Sequence, residues 1–153
     1  MANEAARTHE LQSSLKAIIN VLEDGQKGMA SIADHVQDEG LKVFFLAESL
    51  KRAGFRGELE NELHRHGERD VNEGGTASGT LHRVWGDLKA RMGADDRSLL
   101  TTAEQGEDEE VKGYEKALEA VMPGDIRDLL LTQKKHIAHS HNKIRDLRDG
   151  IAA

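Results

Sequence analysis

A single proline, Pro123, stands in a chain of 153 residues. Proline is the residue that helix interiors exclude most strongly, and leucine, alanine, glutamate, lysine and arginine, which favour helix, are plentiful in this chain. No stretch alternates apolar and polar residues over enough positions to predict a strand. The chain is therefore expected to be all-α.

Apolar residues recur at steps of three, four and seven, which is the spacing of one helix face. This period predicts five helices, at about residues 8–36, 40–66, 80–92, 96–121 and 125–150. Short links join the first helix to the second and the fourth to the fifth, so each of these pairs should be antiparallel. The connection that holds the third helix is about 30 residues long, enough to return the chain along a whole bundle. The sequence thus predicts one domain, residues 1–153, with a ferritin-like four-helix bundle and a short extra helix in the long crossover.

Composition excludes several classes of function. A net charge of −7 repels nucleic-acid phosphates and anionic lipid, so neither nucleic acid nor a membrane is an expected partner. Cysteine is absent, which excludes disulfides, thiolate catalysis and cysteine-based zinc sites. Residues 1–17 lack the apolar core of a signal peptide, and the longest purely apolar run, 43–47, is far shorter than a bilayer span. We expect a cytoplasmic protein.

Three carboxylates fall on or beside the apolar stripes. Glu48 lies on the stripe of the second helix, Glu107 lies on that of the fourth, and Glu23 borders that of the first. Ferritin-like bundles that bind two metal ions use a Glu from each of two helices and a Glu-x-x-His pair from each of the other two. With His136 of the last helix, these carboxylates are the candidate metal ligands.

This candidate ligand set is incomplete. Lys51, not a histidine, stands three residues after Glu48, and Gln133 stands where a glutamate should precede His136. A neutral amide is a poor ligand for a hard cation. The carboxylates can instead be satisfied by Lys51, by Arg52 or by water, so no cofactor is expected. Under the alternative of a metal site, the ligand would be iron or another divalent ion.

Two glycines interrupt the first helix, and the one tryptophan lies in the third. Gly25 and Gly28 lie inside the first helix, where each weakens the helix by roughly 1 kcal/mol relative to alanine. Trp85, the one tryptophan of the chain, lies in the short third helix. A lone tryptophan of this kind is more typical of a packing anchor than of a ligand platform.

Three parts of the chain resemble a known family. They are a His-Arg-x-Trp segment at 80–89, a Gly-Glu-Asp segment at 103–108 that runs on to 114–118, and residues 144–149. They resemble a small bacterial ferritin-like family of four-helix-bundle proteins of unknown function, from proteobacteria and their relatives, and the similarity covers about residues 10–149. The resemblance implies the bundle fold, a bacterial cytoplasmic setting and an association with stress. It implies no established reaction or cofactor, and Glu107 is carried over only as part of the Gly-Glu-Asp motif.

Two hypotheses about function follow. The first is a non-enzymatic bundle that acts by binding to itself, as a homodimer, or to a protein partner in bacterial stress physiology. A dimer that buries roughly 1,200 Å² or more would suffice, and Val43, Leu46 and Ile19, beside the main stripes, are candidates for the contact face. The alternative is a reduced metal-carboxylate site in the bundle core, formed by the four candidate ligands. No catalytic residue is predicted, and the chain is not expected to be an enzyme.

Overall fold

The computed structural model describes residues 2–67, Trp85 and residues 94–151. Over these residues the protein is all-α and contains no strand, which confirms the predicted class. The helices are α1 (Ala2–His35), α2 (Glu39–Arg65), α3 (Asp96–Ala117) and α4 (Gly124–Asp149). Of the short helix predicted at 80–92, only Trp85 is described, in a helical conformation, and the rest of that prediction lies outside the described residues.

Two helix ends differ from the prediction by more than one residue. α1 begins at Ala2 and not near residue 8, because its first turns are exposed and carry no apolar period, although their residue types favour helix. α3 ends at Ala117, four residues before the predicted end at 121. The guanidinium of Arg127 explains the earlier end, since it donates to the carbonyls of Leu118 and Ala120 at 3.1 and 3.2 Å. These bonds satisfy carbonyl groups that the end of a helix leaves without partners.

Helix α1 runs antiparallel to both α2 and α3. Against α2, the hydroxyl of Ser49 donates to the carbonyl of Gln26, and farther along the bundle the amide of Gln12 donates to the carbonyl of His66. Against α3, Gly25 lies beside Glu110, whereas residues nearer the start of α1 lie beside Gly113, nearer the end of α3. α2 and α3 therefore run in the same direction.

The start of α3 is fixed at the turn between α1 and α2. The Asp96 carboxylate accepts hydrogen bonds from the backbone N–H groups of Gln37 and Asp38, at 2.7 and 3.0 Å. α2 begins at this end of the bundle and finishes at the other. α4 runs antiparallel to α2 and α3, and it brings His136 to Glu48 and Gln133 to Tyr114.

The core consists of two apolar clusters on either side of a polar layer. One cluster, near the α1–α2 turn, includes Met29, Ile32, Phe45, Leu100 and Ile144. The other, toward the opposite end, includes Leu15, Leu22, Leu59, Leu130 and Ile137. The polar layer between the two clusters consists of the buried polar residues Glu48, Ser49 and Arg52 of α2, Glu107 and Glu110 of α3, and Ser140 of α4.

Ile19 corrects one prediction. It was expected on an exposed contact face, but it is buried in the second cluster, with 1% of its surface exposed. α1 packs against two helices at once, so its buried arc is wider than the single stripe that the sequence indicated.

No helix among the described residues combines the length and the apolar character that a membrane crossing needs.

Candidate functional site

Arg52 lies at the centre of the polar layer. It follows Glu48 by four residues and precedes Phe55 by three, so helix geometry places its side chain on the inward face of α2. The side chain is fully buried. Its guanidinium donates from Nη1 to Glu48 Oε1 at 3.0 Å, from Nη2 to Glu107 Oε2 at 2.6 Å, and from Nε to Glu110 Oε2 at 3.0 Å. One cation of the chain thus holds carboxylates from two helices.

The three carboxylates do not share the same charge state. Burial raises the pKa of Glu107 to about 8, because the ionised form is desolvated and lies beside Glu110, and Arg52 only partly opposes this. Burial likewise raises the pKa of Glu110. For Glu48, at the edge of the layer, burial acts in the same direction, but Arg52 and then His136 hold its pKa below the usual value. At neutral pH this raised pKa favours the protonated form of Glu107, which reduces the negative charge in the core.

A second polar contact lies one turn along the bundle. The Tyr114 hydroxyl donates to Gln133 Oε1 at 2.8 Å, and Gln133 Nε2 donates to the backbone carbonyl of Phe55 at 3.3 Å. The amide of Gln133 can both accept and donate, which a carboxylate cannot do when ionised. A glutamine is therefore well suited to join α3, α4 and α2 at this position.

His136 closes the layer on its solvent side. Its Nε2 lies 3.1 Å from Glu48 Oε1, and its ring packs edge-on against Phe55 with the centroids 5.5 Å apart. Ser140, one turn farther along α4, is also buried, and its hydroxyl has no hydrogen-bond partner among the described residues.

The structure brings together three of the four predicted metal ligands. Glu48 and Glu107 share Arg52, and His136 contacts Glu48. Glu23 lies apart, on the surface of α1, where its carboxylate is 3.1 Å from Lys27 Nζ. Arg52 had been one of three possibilities for satisfying the carboxylates. Another of the three, Lys51, is exposed, and its Nζ lies 5.8 Å from the Phe55 ring centroid.

Two residues of the site were missed from the sequence. Glu110 could have been found, because it follows Glu107 by three residues and precedes the apolar Tyr114 by four. No comparable spacing in the sequence indicated that Gly25 would lie beside the site. A Cβ atom at that position would lie 2.4 Å from Glu110 Oε2, so glycine makes room for the buried carboxylate.

A guanidinium fits this ring of carboxylates better than a metal ion does. The guanidinium of Arg52 already contacts an oxygen of each of the three carboxylates. A divalent ion beside it would place two cations in one small buried space, where they would repel each other. Among the described residues, no three His, Asp or Glu side chains are grouped so that they could hold a metal ion. As placed, the chemistry that these residues support is internal charge neutralisation.

The raised pKa of Glu107 predicts a stability that falls with rising pH. Between the ordinary value of 4.5 and about 8, the folded chain keeps a proton that the unfolded chain releases. Unfolding therefore releases that proton, and the free energy of unfolding should drop by at most about 1.4 kcal/mol per pH unit from this group. In Glu107→Gln, whose amide resembles the protonated acid, the decline should become clearly shallower.

Urea denaturation at several pH values between about 5.5 and 8 measures this slope. Glu119→Gln is the control, because Glu119 is an exposed carboxylate near the same helix. An unchanged slope in Glu107→Gln would show that this carboxylate does not hold the proton.

Residues 10–120 match a family described as a domain of unknown function, DUF2383. The matched stretch contains the Arg52 cluster of α2 and α3 but stops before His136 and Gln133. No curated protein matches the chain significantly. The match agrees with the expectation of a helical protein whose specific role is unknown.

Proposed function

The chain belongs to the family described as the domain of unknown function DUF2383, and for this member we propose a non-enzymatic, ferritin-like bundle that acts by associating with itself. The helix order supports the ferritin-like assignment. α2 and α3 run in the same direction, which is the order of a four-helix bundle with one long crossover. A bacterial cytoplasmic setting and a role in stress belong to the same proposal, supported by the resemblance of the three segments described above.

The closed polar layer supports a role without catalysis. Arg52, Glu107 and Glu110 are completely buried, and the guanidinium of Arg52 donates hydrogen bonds to both carboxyl groups. An active site needs a cavity that a substrate can enter. In this layer, Glu48 and His136 lie at the solvent side. Glu107 and Glu110, whose pKa values are raised, are not accessible from it.

One observation carries the association. Val43, Leu46 and Leu50 are 68%, 50% and 73% exposed, and their spacing of three and four residues places them on one outward face of α2. Single exposed apolar residues are common on soluble proteins, but adjacent ones mark contact surfaces. These three residues are named the α2 patch. Two of them, Val43 and Leu46, had been predicted for this role.

The proposal predicts a reversible dimer that the α2 patch controls. In sedimentation equilibrium, the mass should rise with concentration from 16.9 kDa toward twice that value. Leu50→Glu should remain at the mass of one chain, because a second copy would have to bury its carboxylate. The matched control is Leu131→Glu on α4, whose side chain is 45% exposed and lies outside the patch. An unchanged dimer in Leu50→Glu, or a parent that stays monomeric throughout, would contradict the proposal.

The alternative function is a metal-carboxylate site with fewer ligands than a two-metal ferritin-like centre, which would bind iron or another divalent ion. Two observations favour it. His136 lies beside Glu48, and Glu107 Oε1 is buried without a hydrogen-bond partner among the described residues. The ion would require the Arg52 side chain to turn away from Glu107. Near-stoichiometric iron after anaerobic loading and desalting, present in the parent and absent from Glu107→Ala, would support this alternative. Sub-stoichiometric metal in both proteins would oppose it.

A further inference from the structure

Gly54 and Gly57 lie inside α2 without a packing reason within the described chain. At Gly28 or Gly106, an added Cβ would lie 2.2 Å from a Trp85 ring atom, so those helices need a glycine there. At Gly54 and Gly57, an added Cβ would meet no atom of the described residues within 4 Å. Each costs the helix up to about 1 kcal/mol relative to alanine. The described residues therefore give no reason for their small size, and a contact with a second copy of the chain would supply one.

These glycines continue the α2 patch along the helix. Val43, Leu50 and Gly57 are seven residues apart, and Leu46 and Gly54 lie between them on the same outward side. Positions seven apart return to nearly the same face of a helix. The first half of this face carries the bulky side chains of Val43 and Leu46, the second half consists of Gly54 and Gly57, and Leu50 lies at the middle.

We propose that two copies of the chain pair through α2 in antiparallel orientation, about a two-fold axis at Leu50. This inference rests on the proposed self-association and adds the orientation and register. A two-fold contact sets residue i against residue j and residue j against residue i. Val43 of one copy then faces Gly57 of the other, Leu46 faces Gly54, and Leu50 faces its own equivalent. Each bulky side chain meets a glycine, which lets the two helices approach closely.

The flanking charges select the same orientation. Lys42 stands beside the bulky half of the face and Glu60 beside the small half, and both side chains are partly exposed. They are 18 residues, or five helical turns, apart, so they lie on the same flank of α2. An antiparallel pair about Leu50 brings Lys42 of one copy near Glu60 of the other, twice. A parallel pair would set the bulky halves against each other and leave the glycine halves facing each other across a gap. One helix pair buries a small interface, so we expect a dissociation constant on the order of micromolar.

Disulfide trapping can test the register cleanly, because the natural chain has no cysteine. Leu50→Cys should oxidise to a linked dimer, since its two copies lie at the axis. Val43→Cys alone should link at least about tenfold more slowly, because at roughly 1.5 Å per residue its two copies lie about 21 Å apart, far beyond disulfide reach. A mixture of Val43→Cys and Gly57→Cys should form the mixed dimer.

The outcomes separate this inference from the proposed function. Rapid linking of Val43→Cys with itself would overturn the antiparallel orientation. Failure of Leu50→Cys to link while the unmodified chain sediments as a dimer would overturn the register and leave self-association in place. A chain that stays monomeric in sedimentation would overturn both.

A second variant tests the role of the small residues. Gly54→Leu should weaken self-association by at least about tenfold, because Leu46 of the partner loses the space that it occupies. Its circular dichroism should match that of the parent, and its urea midpoint should equal or exceed the parent's, because no described atom lies within 4 Å of the new Cβ and leucine favours helix more than glycine does. Self-association of Gly54→Leu at the parent's strength would contradict the proposed packing.

Discussion

Replacing Arg52 with alanine is expected to lower the free energy of unfolding by about 3–5 kcal/mol. The guanidinium is the cation that contacts Glu48, Glu107 and Glu110, and its removal leaves these carboxylates buried around an empty space. Urea denaturation followed by circular dichroism measures the loss. The loss should be smaller at acid pH, where the carboxylates are protonated and need no cation.

The matched control for this variant is Arg56→Ala, four residues along the same helix. Arg56 is 30% exposed and pairs with Glu60 at 3.3 Å, so its loss should cost no more than about 0.5 kcal/mol. Arg52→Lys provides an intermediate case, because an ammonium keeps the charge but lacks the planar fork that reaches three carboxylates. If Arg52→Ala unfolds within about 1 kcal/mol of the parent, the cluster is not an essential part of the core.

Replacing Trp85 with alanine should also cost about 3–5 kcal/mol in the free energy of unfolding. The indole ring lies between α1 and α3, against the backbone at Gly28 and Gly106, and it is 9% exposed. Its loss leaves a cavity that two glycines cannot fill. Urea denaturation measures the change, and a loss below about 1 kcal/mol would place the ring outside the core.

A double-mutant cycle tests the contact itself. Gly106→Ala should cost about 1–3 kcal/mol in the parent, because the new methyl overlaps the ring, but it should be neutral or stabilising in Trp85→Ala. Gly113→Ala is the control in the same helix. Its Cβ would meet its nearest atom at 3.4 Å, so it should gain up to about 1 kcal/mol from helix propensity. Equal effects of Gly106→Ala in both backgrounds would exclude the contact.

Much of the fold could be predicted because helix formation follows local rules. The apolar period located the four long helices, and the single proline marked the turn before α4. The same period placed Glu48 and Glu107 on inward faces, and both are buried. The helix ends were less accurate, because the exposed start of α1 has no apolar period and Arg127 satisfies the end of α3 from another helix.

The identity of the balancing cation was only partly predictable. Lys51 and Arg52 are neighbours, and one step along a helix turns a side chain by about 100°, so only one of them can face inward. From the sequence, Lys51, Arg52 and water all remained open, and the structure shows that Arg52 is the residue that contacts the carboxylates. Glu23 could not be judged in this way, because it borders the stripe and its placement depends on how α1 meets its two neighbours.

By itself, the sequence determined the four long helices, most of their inward residues and the need to neutralise buried carboxylates, because all three depend on residues close together along one helix. The tertiary structure decided which residues of different helices meet. It set Glu110 against Gly25 and Trp85 against Gly28 and Gly106, and it left Gly54 and Gly57 without a neighbour among the described residues. The apolar period of a helix predicts which side chains point inward, but it does not predict which atoms of other helices they will contact. The relative position and direction of the packed helices settle that second question.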